Sequence, residues 1–313
     1  MARILLFIPH MHGSLQKTVR DRVVFSGVGL HSGITAEMSV SPAAPGTGVV
    51  FHRTDSAMAQ PVKASWEAVS ITDLSTSVGE NESRVSTIEH LMAALSGLGI
   101  DNVHVTISGP EVPILDGSGK LFVESFDRAG IVEQDAAKKV WRIKKPFLFE
   151  DGVKVVKIEP AAFTEYRCTI SFPDYVIGRQ TIIYRHSPRA FTELATARTF
   201  CHYRDIDAMR RAGLALGGSL DNAVVVTDEG VMNPDGLQGS DEFVRHKLLD
   251  AIGDLSLLGA PLAGRVTLYK SGHGMHAKFM RALMAAREEY LELVPAVQAE
   301  AGPPGSSVEV FLT

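Results

Sequence analysis

His246 and Asp250 stand four residues apart within the stretch from Asp241 to Asp254. The stretch reads as a helix, and on a helix residues i and i+4 share a face. An imidazole and a carboxylate stacked in this way can reach one divalent cation, with Asp254 one turn further on. Two ligands do not complete a catalytic zinc site, which takes three and an open position. Ser86-Thr-Ile-Glu89-His90 offers a third ligand, His90, beside a general base, Glu89. If these segments meet in space, the chain is a zinc hydrolase.

Each of these residues also has a plainer reading. On a wheel of about 100° per residue, Phe243, His246, Asp250, Gly253, Asp254 and Leu257 share one side of the helix. A solvated acidic face has the same pattern, although Phe243 and Leu257 set apolar groups among the acids. Ser86-x-x-Glu89 matches a capping box, in which Glu89 serves the helix start rather than chemistry. His90 taken alone reads as a histidine satisfied within the fold. His273 sits between two glycines in Ser271-Gly-His-Gly-Met-His-Ala-Lys278. It reads either as a general acid, with Asp254 fixing its tautomer, or as a histidine in a surface turn; His276 reads as a surface residue. Gly27-Val-Gly-Leu-His-Ser-Gly33 lacks the spacing of a dinucleotide loop and reads as a tight turn presenting His31.

These side chains need elements to hold them. A helix over 87–97 carries the apolar stripe Ile88, Leu91, Met92 and Leu95. Its other face has His90, Ala93 and Ala94 and no charge beyond Glu89, so it packs against another element. Val103–Ile107 alternates as a half-buried strand does. Residues 153–158, 223–226 and 265–269 read as further strands, and a third helix covers about 276–295. The polar stretch 133–139 divides the chain into an N-terminal half, 16–135, and a C-terminal half, 140–300. Each half has strands followed by a helix bearing a candidate ligand, which suggests two similar α+β halves with the site between them. Residues 1–15 read as a loose leader and 301–313 as a flexible tail.

Composition narrows the classes. A chain of 313 residues has room for two domains. Its 45% hydrophobic and 21% charged residues are those of a soluble globular protein. A net charge of −5 leaves no broad basic field for nucleic acid or an anionic membrane. The apolar run 4–9 is far shorter than the roughly 20 residues a membrane span takes. Two cysteines, Cys168 and Cys201, make neither a disulfide framework nor a cysteine zinc site, in keeping with a reducing cytoplasm.

Taken together the motifs resemble the UDP-3-O-acyl-N-acetylglucosamine deacetylases, zinc enzymes of lipid A synthesis in Gram-negative bacteria. The resemblance rests on Gly27-Val-Gly-Leu-His31, Ser86 through His90, Gly97-Leu-Gly-Ile-Asp-Asn102 and Pro110-Glu-Val-Pro-Ile-Leu-Asp-Gly117. Ala197-Arg-Thr-Phe200, Asp241 through Asp254 and Ser271-Gly-His273 extend it over nearly the whole chain. It implies an α+β fold of two similar layered β-α-α-β sandwich domains with the active site at their interface. It implies His90, His246 and Asp250 as zinc ligands, with iron(II) compatible with the same donors, and Glu89 as general base. It implies that His273 stabilises charge or protonates the leaving amine, with Asp254 behind it, and Thr199 as a donor to the oxyanion. Lys247 and Lys154 would face the diphosphate, Phe200 would pack on the sugar, and an insert near 198–218 would house the acyl chain. The implied partner is the acylated UDP-N-acetylglucosamine, acted on by a cytoplasmic monomer. The sequence departs from the family pattern at Cys201, where glycine is expected, at His276, where a neutral polar residue is expected, and at Ser75 and Ser77, which stand for cysteines. A zinc amidase or peptidase with another substrate, or a binding protein with an idle site, is the competing reading.

Overall fold

The computed structural model describes residues 14–161, 163–296 and 309–312. Most of the expected leader and much of the expected tail lie outside the described residues. The first half runs β1 (Leu15–Val19), β2 (Val23–Val28), β3 (Thr35–Pro42), β4 (Val49–Arg53), β5 (Val62–Lys63), α1 (Glu89–Leu98), β6 (Val103–Ile107), α2 (Lys120–Ala129) and β7 (Ile131–Ala137). Its main sheet has the order β2-β3-β6-β4-β5. In the central strand β6, Val103, Val105 and Ile107 are buried while His104 and Thr106 are half-buried, the period-two pattern of a strand with one covered face. Phe122 and Phe126 of α2 meet Phe25 of β2 edge-on, with centroids 5.0 and 5.9 Å apart.

The polar stretch near 133–139 lies largely in strand. Residues 131–137 form β7, which pairs antiparallel with β1 and shows alternating exposure. Polarity there reflects an exposed edge strand.

The second half runs β8 (Lys139–Ile143), β9 (Phe147–Asp151), β10 (Lys154–Glu159), β11 (Glu165–Ser171), β12 (Arg179–Arg185), α3 (Pro188–Leu194), β13 (Phe200–His202), α4 (Ile206–Arg211) and β14 (Val224–Val226). It continues with α5 (Glu242–Ser256), β15 (Leu262–Ala263), β16 (Arg265–Tyr269), α6 (His273–Ala285), α7 (Arg287–Tyr290), β17 (Leu291–Pro295) and β18 (Glu309–Leu312). Six strands form one sheet in the order β18-β12-β11-β16-β10-β9. β18 falls inside the segment expected to be a flexible tail, yet it pairs antiparallel with β12. The helix expected over 276–295 starts earlier, at His273, and ends at Ala285; residues 291–295 are a strand paired to β8. The architecture is α+β.

Two helices meet back to back and set the geometry of everything that follows. α1 is buried almost all round, including its uncharged face of Ala93 and Ala94. That face lies on α5 at Gly253, where an added Cβ would come within 2.0 Å of the Glu89 carbonyl oxygen. Only a glycine lets the two backbones approach so closely. The contact brings the first turn of α1 against the middle of α5.

Candidate metal centre and its cavity

That contact brings His90, His246 and Asp250 together. One donor atom from each lies within 4.8 Å of the others, and all three residues are buried. Asp250 Oδ1 is 3.4 Å from His90 Nε2 and 3.3 Å from His246 Nε2. Donors bound tetrahedrally to zinc at about 2.0–2.1 Å stand about 3.4 Å apart, so the spacing already fits one ion. Asp250 Oδ1 is buried and accepts no hydrogen bond, which is unfavourable for a carboxylate oxygen unless a cation completes it. His246 donates from Nδ1 to the Ala197 carbonyl at 3.1 Å, leaving the Nε2 lone pair toward Asp250. Burial drives the His246 pKa down to about 3 against the pull of Asp250, so the ring is neutral, the form that binds metal. Burial alone would raise Asp250, but His246 and Lys247 hold it well below the carboxylate range. Two imidazoles and a carboxylate are a donor set for zinc or iron(II).

Glu89 opens α1 beside this cluster. The helix starts at Glu89 with Ile88 as its cap and no side-chain capping bond. The capping-box reading is therefore corrected: the Glu89 carboxylate accepts the Thr76 N–H at 3.0 Å, and Ser86 Oγ instead accepts from Ser77. Burial raises the Glu89 pKa, with His273 and His90 opposing. A buried acid with a raised pKa next to a metal-type cluster is suited to moving protons.

His273 is the first residue of α6 and is buried, not in a surface turn. Its Nδ1–H donates to Asp254 Oδ2 at 2.8 Å, and its Nε2 lies 3.9 Å from both Glu89 Oε1 and Asp250 Oδ2. Burial disfavours the imidazolium, yet Asp254 and then Glu89 outweigh it and raise the pKa to about 9. Two further residues anchor Asp254. Thr76 donates its hydroxyl to Oδ1 at 2.6 Å, and His276 Nδ1 lies 2.7 Å from Oδ2. His276 is thus a correction, 1% exposed and bonded on its other side to Ser271 Oγ at 2.9 Å. The sequence offered a signal for His276, three residues after His273 and so on nearly the same helical face. Thr76 lies in a loop between Ser75 and Ser77, two positions of the family pattern, but nothing in its own type or spacing marked it.

His90, His246, Asp250, Glu89 and His273 open onto one cavity of about 1090 Å³, while Thr76, Asp254 and His276 stand behind its wall. Thr199, Phe200, Lys154 and His31 line it as well. Phe200 meets Phe243 and His246 edge-on at 5.0 and 6.2 Å. Lys154 is exposed at the rim, on β10. Lys247 lines the wall but gives its ammonium to Asp250 Oδ2 at 2.7 Å, a partner the diphosphate-facing expectation did not include. His31 stands in the Gly29–Gly33 turn, with its Nδ1 3.4 Å from the Ala215 N–H. Ile206, Met209, Leu220, Val225 and Met232 add apolar side chains to the lining.

A buried cluster of two histidines and a carboxylate, with an acid alongside and a cavity in front, has the make-up of a hydrolytic metal centre. A family model described as LpxC: UDP-3-O-acyl N-acetylglycosamine deacetylase matches residues 16–285. The UDP-3-O-acyl-N-acetylglucosamine deacetylase of Myxococcus xanthus (strain DK1622) is 46% identical over 286 residues, 91% of each chain. The deacetylase of the same name from Citrifermentans bemidjiense is 45% identical over 283 residues, 90% of this chain and 93% of its own. That from Geotalea uraniireducens (strain Rf4) is 43% identical over 300 residues, 95% of this chain and 98% of its own. The chain belongs to the UDP-3-O-acyl N-acetylglycosamine deacetylase family. Among the described residues no helix is long and apolar enough to cross a membrane.

Proposed function

We propose that this chain hydrolyses the N-acetyl amide of UDP-3-O-[(3R)-3-hydroxyacyl]-N-acetylglucosamine, releasing acetate and the free amine, the committed step of lipid A synthesis. The observation that carries the reading is the His90–His246–Asp250 cluster, with Glu89 and His273 beside it, on a cavity whose lining also includes Ile206, Met209, Leu220, Val225 and Met232. Two similar layered halves with the site between them, a monomeric state and a cytoplasmic address are part of the same reading. The two halves draw support from the ligand-bearing helices, α1 from one and α5 from the other.

His90, His246 and Asp250 would hold the metal ion, zinc or iron(II). When bound, the ion supplies Lewis acidity, which lowers the pKa of water and polarises an amide carbonyl. The chain's own residues do the rest. Glu89 takes a proton from the attacking water, and a base so placed is typically worth about 10²–10⁴ in rate. Thr199 donates to the oxyanion of the adduct. The leaving amine needs a proton, and His273, held as imidazolium by Asp254, gives it from Nε2. Lys247 stands on the ligand carboxylate and keeps it ionised. Lys154 at the rim meets the diphosphate, Phe200 packs on the sugar and His31 lines the wall. The segment 198–218 and its neighbours wrap the acyl chain in the cavity's apolar side chains.

The test is acetate release from the acylated nucleotide sugar by purified protein, before and after chelation and zinc return, with Glu89→Ala alongside. Release that follows the metal and vanishes in Glu89→Ala supports the reading. A folded, zinc-loaded wild type that releases no acetate refutes it.

A further inference from the structure

Thr87 has a φ of 56°. For a β-branched residue a left-handed backbone is a genuine outlier, because Cβ crowds the adjacent carbonyl. The position matters: Thr87 is buried two residues before Glu89 and three before His90. A relaxation of Thr87 to an extended backbone would turn the start of α1 and move both side chains. Strain of this kind persists only where the surroundings hold it.

Backbone bonds from the Ser86 N–H to the Pro110 carbonyl and from the Ile88 N–H to the Thr76 carbonyl flank Thr87, and one carboxylate holds its side chain. Thr87 Oγ1 donates to Glu111 Oε1 at 2.7 Å. The same oxygen accepts the His31 N–H at 2.9 Å, and Oε2 accepts the Ser32 N–H at 2.7 Å. Glu111 is 2% exposed and does not line the cavity. Its backbone is fixed on both sides: Glu111 bridges to Ser86, Val112 N–H bonds the Ser86 carbonyl, and Pro113 bridges to Gly29. Gly29 makes room for it, since a Cβ there would come within 2.4 Å of Oε2. Glu111 therefore ties two cavity walls together, the entry to α1 and the turn that carries His31. We propose that Glu111 is a positioning residue that holds the strained Thr87 and the His31 turn on one buried carboxylate, and through them sets Glu89 and His90. Its kinetic consequences rest on the deacetylase reading; its effect on metal affinity does not.

The substitutions separate the two jobs. Glu111→Gln keeps the shape but removes the charge that the Thr87, His31 and Ser32 donors share, which weakens the hold on Thr87, and its NH₂ must face either the Ser32 N–H or the His31 N–H, so one backbone donor is lost. Zinc affinity, measured by chelator competition, and kcat should each fall on the order of 10–100-fold, the usual effect of removing a partner behind a ligand, and KM should rise because the His31 turn loosens. Thr87→Val removes only the hydroxyl bond and keeps the crowding. It should lower zinc affinity and kcat and leave KM alone. Glycine adopts a positive φ without crowding, so Thr87→Gly added to Glu111→Gln should recover zinc affinity and kcat by roughly tenfold while KM stays high. A role in folding alone would show no such rescue. Wild-type zinc affinity in Glu111→Gln, or a folded double variant no better than Glu111→Gln, overturns the proposal. If Glu111→Gln does not fold, the single variants decide: Thr87→Gly must bind zinc more tightly than Thr87→Val, and equal binding overturns it. Zinc binding without acetate release in the wild type removes the deacetylase reading and leaves the zinc comparison to judge Glu111.

Discussion

Gly253→Ala tests whether the meeting of α1 and α5 is what builds the metal centre. A Cβ on residue 253 would sit 2.0 Å from the Glu89 carbonyl oxygen and 3.1 Å from the Ala93 nitrogen. An ordinary contact needs about 3.5 Å, so the helices must part locally by more than 1 Å. Neither obstacle is a flexible side chain; both are helix backbone. α1 carries His90, while α5 carries His246 and Asp250, so the parting opens the 3.4 Å gap between His90 and Asp250. The gap then exceeds about 4.2 Å, the most one ion with bonds of about 2.1 Å can span. Two stability terms oppose each other. Alanine gains about 1 kcal/mol of helix propensity over glycine, and overpacking costs about 1–3 kcal/mol. The expected net loss is about 0–2 kcal/mol, or at most roughly 8 °C in Tm for a chain of this size. Function should suffer far more, because a misplacement of about 1 Å near reacting groups can cost on the order of 10²-fold in rate. Thermal unfolding, zinc affinity and acetate release on the same preparation give the comparison. A variant that binds zinc and turns over within about twofold of wild type would refute the reasoning, since the helix contact would then not control the ligand spacing.

Three further outcomes are expected. Glu89→Gln should lower kcat by about 10²–10⁴ and leave bound zinc, measured by metal analysis, at one ion per chain; unchanged kcat would remove Glu89 as the base. The rate should be bell-shaped in pH. Glu89 acts deprotonated and its pKa is raised, so the acid limb lies above the ordinary carboxylate range. His273 acts protonated and its pKa is raised to about 9, so activity persists below that pH and is lost as pH rises through it. Asp254→Asn removes its main support and should move the alkaline limb to lower pH; a limb that stays in place would show that another group supplies the proton. Chelation should lower the Tm and zinc return should restore it, because binding to the folded state alone stabilises by RT ln(1 + [L]/Kd), about 4 kcal/mol at a thousandfold excess over Kd. A Tm indifferent to chelation would argue against a resident ion.

How much of this was legible in the sequence depends on how far apart the partners lie. The spacing of His246 and Asp250 is a property of one helix, and it was readable. So was the contact-making face of α1, where Ala93 and Ala94 stand in place of charges. Exposure patterns in β6 and β16 followed from period-two alternation. What failed was local logic overruled from a distance. Ser86-x-x-Glu89 fits a capping box, but Glu89 is claimed by the Thr76 N–H, 13 residues away. Asp254 is bound by Thr76 Oγ1, 178 residues away, a pairing that no periodicity encodes. His276 read as a surface residue because a polar side chain near glycines usually is one. It is buried because Asp254, already holding His273 and Thr76, is a buried charge that needs every donor it can reach. Asp254 thus explains the error: once one carboxylate is placed inside the fold, it draws polar residues inward from segments whose own patterns say outside. The same holds for Glu111, whose three donors come from two segments that share no motif. In this fold the pairing of His246 with Asp250 was readable from spacing, and the residues that hold the candidate site still were not, because their bonds are made across the chain rather than along it.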